Sequence, residues 1–138
     1  MLPELITLQD GDPAAAEIAA RLAQFNQQQA GAYDFAPLRL AQFDAHGALL
    51  GGVLGATGWG WLQVDMLFVD QDARGQGIGR ALMQAAHAQA RVRGCTGAFL
   101  DTFDFQARGF YEKLGYTLFG TLENMPRGHR RFYLHCAL

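Results

Sequence analysis

At 138 residues the chain has room for one domain, at about 100–200 residues per domain. Half of the residues are apolar and 17% are charged, which suits a packed globular core and excludes a disordered or fibrous chain. Eleven basic residues (ten Arg and Lys113) against 13 acidic ones give a net charge of -2 with no basic run to track a phosphate backbone, so no nucleic-acid partner is expected.

The opening segment from Met1 to Thr7 lacks the basic start and long apolar run of a signal peptide, and the chain is expected to be cytoplasmic. Residues 4–8 are predicted to form a short first strand. Asp12 then offers an N-cap and Pro13 a first helical position. Ile18, Leu22 and Phe25 recur at helical spacing, which predicts an amphipathic helix over 13–29. Leu38–Phe43 and Leu49 to Trp59, joined by Asp44–Gly47, read as a β-hairpin. Its second arm carries Gly51, Gly52, Gly55 and Gly58, which weaken a strand but let a backbone or ligand approach closely. Trp61–Val69 is predicted as a central, covered strand, with Trp61, Gln63, Asp65, Leu67 and Val69 on one face.

After Asp70–Ala73 comes Arg74-Gly75-Gln76-Gly77-Ile78-Gly79-Arg80, opening a helix with Ile78, Leu82, Ala86 and Ala90 on one stripe and Gly94 just past its end. Ala98–Phe103 is the next strand. Residues 105–114 are predicted as a short helix that buries Phe110 and Leu114, leaves Tyr111 off that stripe and ends at Gly115. Tyr116–Leu122 and Arg130–Leu138 are the last two strands. The order β-α-β-β-β-α-β-α-β-β makes a mixed α/β sheet, read as a single domain over residues 1–138. No apolar stretch approaches the ~20 residues of a membrane span, so no membrane partner is expected. Cys95 and Cys136 are isolated and read as small core residues. His46 reads as a turn residue, His87 as a helix-face residue, and His129 and His135 as core or edge residues of the last hairpin. No metal is implied.

The Arg74–Arg80 segment carries the chemistry. A glycine-rich loop opening a helix presents unpaired N–H groups and the positive end of the helix dipole, which together capture a phosphate or pyrophosphate. Gly77 and Gly79 allow close backbone approach, and Arg74 and Arg80 add charge-assisted contacts. No lysine and hydroxyl pair follows Gly79, which excludes a P-loop. The Gly75-x-Gly77-x-Gly79 spacing also misses the dinucleotide fingerprint.

The run Leu67-Phe68-Val69-Asp70-Gln71-Asp72-Ala73-Arg74-Gly75-Gln76-Gly77-Ile78-Gly79 resembles the acyl-CoA loop of the GNAT N-acetyltransferases. Phe110-Tyr111-Glu112-Lys113-Leu114-Gly115-Tyr116 is similar to that family's short helix with its tyrosine, and the element order matches along essentially the whole chain. The resemblance implies the GNAT fold: a mixed sheet of about six to seven strands flanked by helices, its central parallel strands splayed. Acetyl-CoA is the implied co-substrate. Its pantetheine arm would pair with backbone groups of Leu67, Phe68 and Val69, and its pyrophosphate would sit on Gly75, Gln76, Gly77, Ile78, Gly79 and Arg80. Tyr111 stands where the family keeps its general acid, to protonate the departing CoA thiolate.

The attacking amine must lose a proton, so a carboxylate near the acetyl group is a candidate base. Asp65 and Asp101 are both candidates, and either is equally suited to capping backbone groups. Where many members carry an asparagine before the tyrosine, this chain has Asp104, and Gln106 can stand in for the missing amide. Tyr33, Phe35, Trp59 and Trp61 lie where the family usually forms its acceptor pocket, and aromatics there suit a cation or an apolar body. The expected activity is acetyl transfer to a primary amine of a small molecule or peptide by direct attack, in a family where dimers are frequent. The alternatives are a protein or peptide acetylase and a non-catalytic acyl-CoA-binding module.

Overall fold

The Asp12 carboxylate accepts the Ala14 amide at 2.8 Å, and Pro13 fills a position whose N–H would have no partner anyway, so the first helix, α1, runs Pro13–Ala30. The computed structural model describes residues 3–138. They divide into two units, one ending at Tyr33 and one spanning Asp34–Leu138. In the first unit Ile18, Leu22 and Phe25 take the expected helical spacing, but they stay exposed and α1 buries no residue. The strand expected over residues 4–8 does not form. Apolar alternation makes a strand only where a neighbour supplies the ladder; this segment has none among the described residues, and Leu5 and Ile6 are exposed.

The second unit is built on one six-stranded sheet in the order β1-β2-β3-β4-β6-β5. Here β1 (Ala36–Phe43), β2 (Leu49–Gly58) and β3 (Trp61–Val69) form an antiparallel meander. Trp59 and Gly60 turn β2 into β3 with φ of 48° and 74°, the paired positive values a tight hairpin requires. The fourth strand, β4 (Gly97–Phe103), lies parallel to β3, and β6 (Arg130–Ala137) and β5 (Thr117–Glu123) extend the sheet antiparallel. A parallel pair needs a crossover, and α2 (Ile78–Val92) supplies it. Its stripe of Ile78, Leu82, Ala86 and Ala90 is buried as expected, in one core with Leu38, Val53, Leu62 and Val64. Past its end, the Gly94 and Cys95 amides return to the Arg91 and Ala90 carbonyls, both at 2.9 Å.

One irregularity in β3 shapes everything that follows. Leu54 faces Met66 but Gly55 faces Val64, so Asp65 is an extra residue bulged out of the ladder. The bulge shifts the alternation: Leu62 and Val64 before it and Leu67 and Val69 after it all pack on the core, while Met66 and Phe68 are exposed. The expected face, which placed Leu67 and Val69 with Trp61 and Gln63, is therefore wrong from Asp65 onward. Pairing with β4 stops at the same point. Trp61–Val64 match Gly97–Leu100, yet β3 continues to Val69 and β4 to Phe103. The central strands splay.

Gly55 makes this bulge possible, because a Cβ there would run into the Gln63 carbonyl oxygen, a backbone atom with no room to yield. Gly55→Ala is expected to cost ~1–3 kcal/mol in a denaturant titration, the range for overpacking a filled site. An unchanged midpoint would mean that β2 and β3 accommodate a methyl group between them without loss.

Candidate active site

Between β3 and α2 the chain makes one 3-10 turn, Gln71–Ala73, and then enters the glycine loop. Gly75 and Gly77 both sit at φ 79°, with nothing within 4 Å of where a Cβ would stand. Glycine is needed there for the backbone conformation, and it leaves the backbone approachable. Gly77 is the N-cap of α2; no side chain caps the helix and its first turn holds no acidic residue. The amides of Ile78, Gly79 and Arg80 are thus left without intrahelical partners at the positive end of the helix. Gly79 serves packing instead: a Cβ there would touch Phe110 and Val69 at 3.4 Å. Arg74 Nε donates to the Val69 carbonyl at 3.4 Å.

The fork between β3 and β4 opens a cleft of about 1020 Å³, at the upper end of the roughly 300–1,000 Å³ usual for small-molecule sites. The facing edges of Asp65–Val69 and Asp101–Phe103 have lost their ladder partners there; Gln106 takes the Phe103 amide and Arg74 the Val69 carbonyl, and the backbone groups left on these edges can pair with a ligand. Every residue expected to hold the cofactor lines this cleft except Gln76. The acceptor aromatics fare differently. Phe35, Trp59 and Trp61 do not line it: Trp59 forms the β2–β3 turn, and the Trp61 ring covers Gly97 at the closed end of the fork. Tyr33 belongs to the other unit. The aromatic wall comes from Phe68, Phe103 and Phe105, the last two stacked with centroids 5.3 Å apart. Sequence reasoning passed over this pair, although Phe103-Asp104-Phe105 alternates directly after the strand.

The short helix α3 (Arg108–Lys113) reverses the expected burial. Tyr111 is the buried residue, at 9% exposure, and Phe110 and Leu114 are only partly covered. The helix ends at Lys113 with Leu114 as its C-cap, so Phe110 and Leu114 do not form a stripe within it, and the Tyr111 ring sits edge-on to Phe110 and Tyr116, centroids 5.1 and 6.0 Å away. Its hydroxyl is still free. It bonds no group among the described residues and reaches the cleft wall. Burial first, and then the Asp101 carboxylate, push its pKa above the ordinary tyrosine value, so it keeps its proton at neutral pH.

Asp101 is the first β4 residue past the fork, and its Oδ1 accepts Arg131 Nε at 2.9 Å. Asp65, on the bulge, lines the same cleft from β3 and has no ion-pair partner among the described residues. The cleft thus gathers both candidate bases and the tyrosine. Asp104 is engaged elsewhere, accepting His129 Nδ1 at 2.8 Å and the Arg130 amide at 3.0 Å. Gln106 Oε1 is occupied by the Phe103 amide at 2.8 Å and the Thr102 hydroxyl at 3.1 Å. Only its NH₂ remains to replace the family's asparagine. His87, expected on the helix face, is buried with Nε2 2.7 Å from the Tyr116 hydroxyl; burial and then Arg91 lower its pKa.

A splayed parallel pair beside an uncapped helix start turns strand-edge and helix-terminal backbone groups toward one cleft. The family model described as an acetyltransferase (GNAT) domain matches residues 38–118, and the chain belongs to the GNAT acetyltransferases. An acetyltransferase of Agrobacterium fabrum is 38% identical over 123 residues, covering 88% of this chain and 90% of that protein. The blasticidin-S acetyltransferase of Streptomyces morookaense is 47% identical over 83 residues, 59% of this chain, and the match spans 61% of that protein's length. A crystal structure of an acetyltransferase from Bacillus cereus superposes with a TM-score of 0.87 at 28% identity, over 96% of this chain and 98% of that one.

Proposed function

We propose that this acetyltransferase takes its acetyl group from acetyl-CoA and delivers it to a primary amine of a small molecule by direct attack. The observation that carries the reading is the fork: unpaired strand edges, helix-terminal amides and an unbonded tyrosine hydroxyl line one cleft. The Gly75–Arg80 backbone, with Arg74 and Arg80, fits a pyrophosphate, and the edge of Leu67–Val69 fits an amide-bearing arm.

The amine nitrogen bonds to the thioester carbon, whose oxygen becomes an oxyanion stabilised by an edge N–H of β3. The nitrogen's surplus proton passes to Asp101, directly or through water. Asp101 is favoured over Asp65 because it stands at the apex of the fork and its field reaches Tyr111. As the carbon–sulfur bond breaks, the Tyr111 hydroxyl donates to the leaving sulfur. Neither cysteine lines the cleft, and the scheme forms no acyl-enzyme bond. The small-molecule reading draws support from the blasticidin-S relative, a protein whose name states an antibiotic acceptor.

The test is a panel of small amines and lysine peptides with acetyl-CoA, followed by release of free thiol. Thiol release that depends on a small amine supports the reading. Release with peptides alone would make the chain a protein acetylase, and tight acetyl-CoA binding without release for any amine would make it a binding module.

A further inference from the structure

On the sheet face beyond the fork, Asp101 stands across from Tyr133 and Phe103 across from Arg131, on the adjacent strands β4 and β6. Arg131 runs diagonally through this square. Its guanidinium carbon lies 5.4 Å from the Phe103 ring centre and 5.3 Å from that of Tyr133, and its Nε donates to Asp101 Oδ1 at 2.9 Å. The Met125 sulfur lies 3.8 Å from Nη1. A guanidinium flanked by two rings has little rotational freedom, and a donor so fixed orients whatever accepts from it. Asp101 needs such a device. It is the residue at which β4 loses its β3 neighbour, so no strand on that side restrains its side chain.

We propose that Arg131 is a positioning residue for acetyl transfer, holding the Asp101 carboxylate by one oxygen so that the other faces the incoming amine. The inference rests on the reading of Asp101 as the proton acceptor and extends it to a residue that does not itself line the cleft. Two observations separate this pair from an ordinary surface ion pair. Its side chains are 25% and 31% exposed, the lowest of the Arg–carboxylate pairs among the described residues. Its carboxylate is also one whose charge is felt at the Tyr111 hydroxyl.

The experiment compares Arg131→Met, Arg131→Lys and Asp101→Asn, singly and with Arg131→Met combined with Asp101→Asn, in steady-state kinetics on the full chain. Arg131→Met is expected to lower kcat by roughly 10–100-fold, the scale on which a misplaced catalytic group costs rate. KM for acetyl-CoA should hold within about twofold, because no cofactor contact is touched, and a merely structural defect would not single out kcat. Arg131→Lys retains a donor without the planar fork and should recover part of the loss. It also provides the reading if the methionine variant does not fold. In the Asp101→Asn background, Arg131→Met should add less than about twofold, since residues acting through one another are not additive.

Losses that multiply in the double variant, or an Arg131 defect confined to melting temperature, would overturn the positioning role while leaving Asp101 in place. A fully active Asp101→Asn would overturn the reading beneath it as well, and the two failures are distinct in the same data.

Discussion

Gly77→Asp is expected to weaken acetyl-CoA binding by at least ~100-fold while the protein stays folded. The residue caps α2 at φ 79° and ψ 11°, a left-handed conformation that aspartate tolerates better than most side chains. Nothing lies within 4 Å of the new Cβ, so the variant carries only a modest conformational cost, of order 1–3 kcal/mol. The effect on binding is larger because two losses combine. The side chain occupies the space through which a pyrophosphate would approach the Ile78–Arg80 amides, and its charge repels the phosphate oxygens. Losing two charge-assisted hydrogen bonds at ~1.5–3 kcal/mol each is enough for a hundredfold or more. Calorimetric titration with acetyl-CoA, with a melting curve on the same sample, checks both halves. Wild-type affinity in a folded variant would remove the loop from the cofactor site.

The features that positioned this site were unevenly legible in the sequence. The loop was readable because its chemistry is local: glycines at positive φ, an uncapped helix start and flanking arginines sit within seven consecutive residues. The stripe of α2 was readable for the same reason, since Ile78, Leu82, Ala86 and Ala90 follow one periodicity without interruption. The bulge at Asp65 was not. It depends on Gly55 in a neighbouring strand, and a single extra residue inverts every later side chain while leaving the local alternation intact. That Trp61 lies off the cleft was hidden for a non-local reason too. Trp61 is drawn to the space above Gly97, 36 residues further along the chain, which no pattern within β3 reveals. Tyr111 shows the opposite error. The role proposed for it rests on resemblance, but the argument that it lies off a buried stripe does not hold, since it is the buried residue of α3. What the sequence could not show is that burial leaves its hydroxyl unbonded.

That hydroxyl carries the second large expectation: Tyr111→Phe should lower kcat by ~10²–10³-fold, the cost of deleting one preorganised donor to charge that develops in a transition state. A tyrosine titrates near ~10 in water and a thiol near ~8.5, and here burial and Asp101 raise the tyrosine further. Complete proton transfer to sulfur is therefore uphill, and most of the benefit comes from a hydrogen bond that strengthens as the carbon–sulfur bond opens and negative charge gathers on sulfur. The raised pKa helps in another way, because it keeps the donor protonated across the working range; no loss of rate from its ionisation is expected below pH ~10. Phenylalanine preserves the ring and its edge contacts with Phe110 and Tyr116, and the hydroxyl it removes has no partner to orphan among the described residues. Melting temperature and acetyl-CoA affinity should thus stay near wild type, while kcat and kcat/KM fall together, the pattern of an interaction made mainly in the transition state. A variant with normal kcat, or one whose only defect is thermal, would leave the thiolate to depart unaided and return Tyr111 to the core.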